Sequence, residues 1–357
     1  MLVISNDQVR QLLTMPECME VLEEAYMERF HQRALSRPRS DLYSKIDDDS
    51  YYVFKSMEGV LPKRKITALR INSDIIKWNK EKYGTRKDKQ PVADGHWVGL
   101  ITLFDMENCK MLAILPDGVV QGFRVAATGG LAIKYMSRKS SKTMGIFGAG
   151  WQAETQVISA CAVRELDYIN VYSPTKTKRE EFADRMSKKV GIPVIPVDSP
   201  EKAAIGLDIV AAATNSITQV MKPEWISPGT HISCVKHTEL GEDVMSIADV
   251  IAVHSHASVP ENYLIGQGER RIIGQDPNEQ GEHKNSSINW ETSDELHTLM
   301  GGQGTNRTNE QQITCFINNI GLGLQFAAVG ALVYRKAKAE SIGINLPDTW
   351  FTEDVHP

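Results

Sequence analysis

One stretch limits the possible folds of this chain more than any other. Residues 143–147 form a short apolar run, which leads into Gly148-Ala149-Gly150-Trp151-Gln152-Ala153 and then into a helical pattern. A strand that turns directly into a helix through Gly-x-Gly-x-x-Ala makes specific demands on the backbone. The first glycine permits the tight turn, the second lets a ligand approach the main chain, and the small third residue lets helix pack on strand. The helix N-terminus then offers unpaired N–H groups and the positive end of its dipole to a pyrophosphate. Gly148, Ala149, Gly150, Trp151, Gln152 and Ala153 are therefore candidate dinucleotide-binding residues. The alternative is a tight turn with a purely structural role.

The surrounding pattern favours the ligand. Helical texture over 124–136, 153–162 and 179–190 alternates with β-rich runs at 168–172, 194–195, 209–213, 231–235 and 250–253. Such alternation predicts an α/β fold with a Rossmann-type, doubly wound parallel sheet. Residues 40–115 read differently. Runs at 51–57, 66–71, 97–104 and 111–115 predict an antiparallel sheet, with 58–65 closing a hairpin. Ahead of them lies an apolar run at 2–4 and a helix over 7–13 capped by Ser5 or Asn6. A capping box follows, formed by Thr14 and Glu17 with Pro16 in the first turn. Met19, Leu22, Ala25, Tyr26 and Phe30 at helical spacing predict core packing, and 320–338 resumes helical texture.

The second βα connection bears on which dinucleotide is bound. A carboxylate there would hold the adenosine ribose hydroxyls and favour NAD. Here Ser173, Thr175, Lys176, Lys178 and Arg179 precede the first acid, Glu180. Hydroxyls and cations suit a 2′-phosphate, so the expected cofactor is NADP, with NAD as the alternative. Ser173, Thr175 and Lys176 are the expected contacts. Thr214, Asn215 and Ser216 close the run at 209–213. They stand at the carboxyl edge of a parallel sheet, where ligands bind, although a plain polar turn would read the same way.

Composition excludes several classes. The chain has 357 residues, enough for two domains, with 40 Lys and Arg against 45 Asp and Glu, a net charge of −5. No basic field is present to hold nucleic acid. The longest apolar stretch, 320–334, is shorter than the ~20 residues needed to span a bilayer, and no secretory leader is expected. Five scattered cysteines predict reduced thiols and a cytoplasmic protein. No metal site is expected, because His254 and His256 lack a third ligand at metal spacing. Trp97 and Trp225 read as ordinary packing.

Taken together, these motifs resemble the ornithine cyclodeaminase/μ-crystallin family over nearly the whole chain. The resemblance rests on Asp117-Gly118, Gly122-Phe123-Arg124 with Ala126-Ala127-Thr128, the glycine turn, Ala213 to Ser216, and Asn319 to Leu324. It implies a substrate-binding and dimerisation domain of α+β type from residues 1–122 plus 316–357, with a Rossmann domain, 123–315, inserted. It also implies a homodimer and a nicotinamide cofactor that exchanges hydride with a carbon bearing nitrogen.

The resemblance further implies that Arg39, Lys55, Arg70 and Arg124 meet at the substrate. Arg39 and Arg124 match positions that hold a substrate carboxylate. Arg70 stands where cyclodeaminase-type members carry lysine. The loop at 236–239 lacks their aspartate, and Gln325-Phe326 replaces a late acid. The expectation is a strongly positive pocket for a small amino or imino acid, with room for a second anionic group. Arg39, Arg70 and Arg124 would bind the substrate. Lys55 or His237, with Glu239 as a third candidate, would move the proton. The expected activity is an NAD(P)-dependent oxidoreductase acting on a C–N bond. The alternatives are a cyclodeaminase-type lyase with recycled NAD, or a non-catalytic NADPH- and ligand-binding protein of μ-crystallin type.

Overall fold

The computed structural model describes residues 1–357 apart from 82–83, 93–94, 217, 257–260, 266–270, 274–291 and 356–357. Most of the 255–289 segment, which shows no readable pattern, therefore lies outside the described residues.

The chain opens with β1 (Leu2–Val3) and α1 (Asn6–Leu12). Ser5 caps α1: its hydroxyl accepts the Gln8 N–H, and the Gln8 side chain accepts the Ser5 N–H. The second expected box differs. At the start of α2 (Met15–Phe30) Thr14 caps no backbone group, because its hydroxyl donates to the Glu17 carboxylate at 2.5 Å.

An antiparallel array follows: β2 (Leu35–Ser36), β3 (Ser40–Lys45), β4 (Ser50–Leu61), β5 (Ile66–Glu81), β6 (Gly84–Gln90), β7 (Val98–Asp105) and β8 (Met111–Pro116). A single turn at Pro62–Arg64 joins β4 to β5. Both strands outrun the 51–57 and 66–71 expectations. The inward face of β5 continues past Arg70 with Asn72 and Asp74 before Ile76 restores the apolar pattern, and all four are buried. A pattern read from hydrophobicity alone stops at these polar residues.

α3 (Gly118–Met136) begins two turns earlier than expected, so Arg124 lies inside the helix instead of starting it. Then come β9 (Thr143–Phe147), α4 (Trp151–Val163), β10 (Tyr168–Tyr172), α5 (Lys176–Val190), β11 (Val194–Pro196), β12 (Ile209–Ala212), β13 (His231–Cys234), α6 (Gly241–Ser246) and β14 (Val250–Val253). The remaining elements are β15 (Glu261–Leu264), β16 (Arg271–Ile273), β17 (Asp294–Glu295), α7 (Leu296–Met300), β18 (Thr314–Ile317), α8 (Gly323–Ala339) and β19 (Ile344–Asn345).

Among the described residues these strands form two sheets. The parallel sheet has the order β11-β10-β9-β12-β13-β18-β14-β17. Its central strands β12, β13 and β18 are buried along their whole length, because apolar clusters cover both faces. β18, which the sequence does not announce, inserts between β13 and β14. The other sheet runs β16-β15-β3-β4-β5-β7-β8-β1-β19, with β2 on β4 and β6 on β5. The β15–β16 ribbon thus leaves the Rossmann segment and extends the edge strand β3.

α8 lies directly on the hairpin. A Cβ added to Gly59 would fall 2.1 Å from the Leu324 amide nitrogen, and one on Gly323 would fall 1.9 Å from the Glu58 carbonyl oxygen. This backbone-to-backbone contact brings Phe326 onto the inward face of β4 and β5. Trp225 is buried, but Trp97, expected to pack, is 57% exposed and donates to the Lys89 carbonyl at 3.3 Å.

Candidate active site

The glycine turn stands where β9, β10 and β12 end. Gly148 has φ +113°, and its N–H donates to the Tyr172 carbonyl at 2.9 Å. A Cβ there would lie 2.4 Å from the Ala213 carbonyl oxygen, so both conformation and space require glycine. Gly150 is the N-cap of α4 and provides no side-chain cap. A Cβ on Gly150 would meet nothing within 4 Å, so the approach to the helix N-terminus is open. Ala149 is half-buried, and Ala153 is wholly buried between α4 and the sheet. Trp151 and Gln152 form the first turn of α4. The Trp151 indole lies against Gly122 of α3, where an added Cβ would come within 2.3 Å of its Nε1. These residues fit a dinucleotide diphosphate: the forced glycine, the open helix end and the small packing residue are all present.

Ser173 and Thr175 follow β10, and Lys176 starts α5 with its side chain exposed. Arg179 reaches back to donate to the Ser173 carbonyl at 3.0 Å. On the next strand's end, Thr214 donates its N–H and hydroxyl to the Glu239 carboxylate at 2.5 and 2.7 Å, and its hydroxyl oxygen accepts the Ser216 N–H at 3.1 Å. Asn215 between them is exposed. Glu239 also accepts the Val235 and Lys236 N–H groups. It is wholly buried, and burial raises its carboxyl pKa against the pull of these donors. Its place is that of a clamp joining the ends of β12 and β13, which removes it as a proton-transfer candidate. His237 is half-buried on the turn His237–Glu239 beside it.

The four cations occupy the other sheet and α3. Lys55 and Arg70 lie on the inward face of β4 and β5, and Arg124 is buried in α3. Arg70 and Arg124 both place their guanidinium carbons over the Phe326 ring, at 5.4 and 5.2 Å from its centre. Burial, and then repulsion from Arg70, lowers the Arg124 pKa to about 9. Arg39 acts on both Arg124 and Lys55, so the four form one electrostatic group.

Three carboxylates temper the expected strongly positive pocket without reversing its sign. Arg39 donates twice to Asp41, both at 2.9 Å. Lys55 donates to Asp74 at 3.2 Å, and Arg70 to Asp117 at 2.7 Å. Arg124 has amide partners instead, Gln121 at 2.7 Å and Gln325 at 3.1 Å. With Lys89 bonded to Asp74 at 2.8 Å, the strip holds five cations against three acids. Sequence reasoning missed Asp41, Asp74, Asp117, Asn72 and Lys89. A signal was available: Asn72 and Asp74 continue the period-two face on which Arg70 lies.

Lys55 is the unusual member. Burial, and then the Lys89 charge, outweighs the attraction of Asp74 and brings its pKa down to about 7. Asp74 moves the opposite way: burial raises it, but Lys55 and Lys89 together leave it below its ordinary value.

His254 does something else. Its ring bonds the Tyr26 hydroxyl at 2.9 Å and the Ile320 carbonyl, and burial holds its pKa at about 3, so it is a neutral core histidine. Among the described residues no cluster of three His, Cys, Asp or Glu side chains could hold a metal.

The family model for the ornithine cyclodeaminase/mu-crystallin family matches residues 1–341. This chain belongs to that family. Within it, the chain is similar to the Delta(1)-pyrroline-2-carboxylate reductase of Bacillus cereus, 26% identical over 349 residues, 96% of this chain and 98% of the relative. It is also similar to the alanine dehydrogenase of Archaeoglobus fulgidus, 24% identical over 353 residues, 96% and 97% of the two chains. Among solved structures, Thermococcus litoralis Delta(1)-pyrroline-2-carboxylate reductase, in complex with NADH and L-proline, superposes with a TM-score of 0.79. The identity there is 27%, covering 97% of this chain and 100% of that one. The ornithine cyclodeaminase/mu-crystallin fold therefore extends over nearly the whole chain.

Proposed function

We propose that this member of the ornithine cyclodeaminase/mu-crystallin family is an NAD(P)-dependent oxidoreductase that reduces the C=N bond of a small imino acid, or oxidises the corresponding amino acid. The observation that carries the reading is the buried Arg70–Arg124 pair over Phe326, on the same strip as Lys55. Two guanidiniums with fixed partners suit a carboxylate, and a buried amine titrating near neutrality suits proton transfer to nitrogen. A bound nicotinamide would supply the hydride, which goes to the α-carbon while a proton goes to the nitrogen.

The chain's own residues do the rest. Asp117 and Gln325 hold Arg70 and Arg124 in place for the carboxylate. Arg39, held by Asp41, completes the substrate side, and protonated Lys55 gives its proton to the imine nitrogen. His237 is the second candidate for that proton. The turn Gly148 to Ala153 takes the diphosphate, with Thr214, Asn215 and Ser216 beside it. Ser173, Thr175 and Lys176, with no acid at the end of β10, support NADP over NAD. The three carboxylates of the strip are already paired with Arg39, Lys55, Lys89 and Arg70, and Gln325 is neutral with its bonds all taken within the core, an arrangement that does not favour an ornithine side-chain ammonium.

We further infer a homodimer built on the open face of the antiparallel sheet, where Leu42, Tyr52 and Val98 are all exposed. In that reading residues 1–122 plus 318–357 form the substrate and dimerisation part, joined by Arg124 of α3 and the β15–β16 ribbon, and the parallel-sheet part binds the cofactor; the boundary expected at 316 moves because Phe316 and Ile317 complete β18. Among the described residues no helix is long and apolar enough to cross a membrane. With all five cysteines free, a cytoplasmic location completes the reading.

The test is to follow nicotinamide absorbance with a panel of imino acids and with ornithine. Loss of NADPH absorbance with a cyclic imino acid is expected. Ammonia release from ornithine without net absorbance change would instead mark a lyase.

A further inference from the structure

The inward face of β5 carries two acceptor oxygens that no donor among the described residues reaches. Asn72 is 5% exposed, and its amide nitrogen donates to the Val98 carbonyl at 3.3 Å and to Asp117 at 3.2 Å. Turning that amide over would set its oxygen against the Asp117 carboxylate, so the orientation is fixed by chemistry. Gly99 makes the contact possible, because a Cβ there would lie 2.1 Å from Asp117 and 2.2 Å from the Asn72 nitrogen. The other atom, Asn72 Oδ1, is left buried with no hydrogen-bond partner among the described residues. Asp74, 3% exposed, is in the same condition. Lys55 and Lys89 both bond its Oδ2, and its Oδ1 has no partner among the described residues. The two residues are successive on one face of β5, roughly 7 Å apart along the strand. Lys55 stands directly across from Asn72 in the β4–β5 register.

Buried acceptors are normally satisfied, and two neighbouring exceptions beside a reactive lysine call for a donor. We propose that Asn72 Oδ1 and Asp74 Oδ1 form a substrate subsite for a neutral hydrogen-bond donor, a hydroxyl or an amide N–H, carried at the end of the substrate remote from its carboxylate. The subsite rests on the imino-acid reading, in which Arg70 and Arg124 hold that carboxylate. The local charges select the donor. Lys55, Lys89 and Arg39 against Asp74 and Asp41 leave one positive charge in excess, which opposes an ammonium. A second carboxylate would bring its own oxygens against two acceptors. The second anionic group expected from sequence therefore gives way to an uncharged donor.

Binding of two matched pairs of amino acids, measured by calorimetry with NADP⁺ present, tests this. The pairs are L-proline against its 3- and 4-hydroxylated forms, and L-norvaline against L-glutamine. Within at least one pair the donor-bearing member should bind about tenfold or more tighter. In Asn72→Leu that ratio should fall below about threefold. A melting curve and NADPH titration of the variant establish that it is folded. If the variant does not fold, Asn72→Thr, which keeps a hydroxyl oxygen as acceptor on a shorter stem, takes its place and should show an intermediate ratio. Equal binding within both pairs by the native protein overturns the subsite, as does an unchanged ratio in a folded variant. Failure of every amino acid to bind while NADPH still binds would overturn the imino-acid reading, and the subsite with it.

Discussion

Lys55 is held between opposing charges. Burial and Lys89 disfavour its ammonium, while Asp74 favours it, and the balance falls at about 7. If protonated Lys55 is the acid, imine reduction is fast below that pH and falls as pH rises through it. Amino-acid oxidation, which needs the neutral amine, should rise over the same range. Lys89→Met removes a repelling charge and should move the midpoint of the kcat/KM profile upward. Asp74→Asn removes an attracting one and should move it downward. Lys55→Met should lower kcat by on the order of 10²–10⁴, and an unchanged rate would pass the role to His237. At this scale the four cations were legible in the sequence, but their carboxylate partners were not. Arg70 and Asp117 are 47 positions apart and meet only through the β5–β7–β8 register. Glu239 misled for the opposite reason: a loop acid reads as reactive until its four backbone and hydroxyl donors are seen.

Two glycine contacts govern the elements. Gly148→Ala combines a strained φ with a clash against Ala213, and should weaken NADPH binding by tenfold or more in a fluorescence titration. Gly59→Ala strikes the backbone of α8 and should cost about 1–3 kcal/mol of stability, read as a lowered melting temperature. It should also disturb Phe326 and so weaken substrate binding more than cofactor binding. The strand–turn–helix order of the parallel sheet was readable because each unit carries its own apolar period and turn. β18 was not, because Thr314 and three apolar residues, separated by a long segment from their neighbours, carry no sign of where they insert. β15 and β16 likewise become strands only by adding to the edge of the distant β3.

At the scale of the whole molecule, the two sheets serve different ends. The parallel sheet offers the glycine turn, and in the proposed reading the antiparallel sheet offers one face to the substrate and the other to a second copy. If the proposed dimer forms on that outer face, Leu42→Arg combined with Tyr52→Asp should convert it to a monomer in light scattering, while NADPH affinity stays within about twofold. A native protein that is already a monomer would contradict that arrangement. The route of the hydride itself is the most direct point of attack. NADPH carrying deuterium at the transferable nicotinamide position should be incubated with a cyclic imino acid and the native protein, and the product analysed by mass spectrometry. One deuterium at the α-carbon of the amino acid formed is expected. An amino acid formed without deuterium, or no product while both cofactor and imino acid bind, would contradict the proposed hydride transfer.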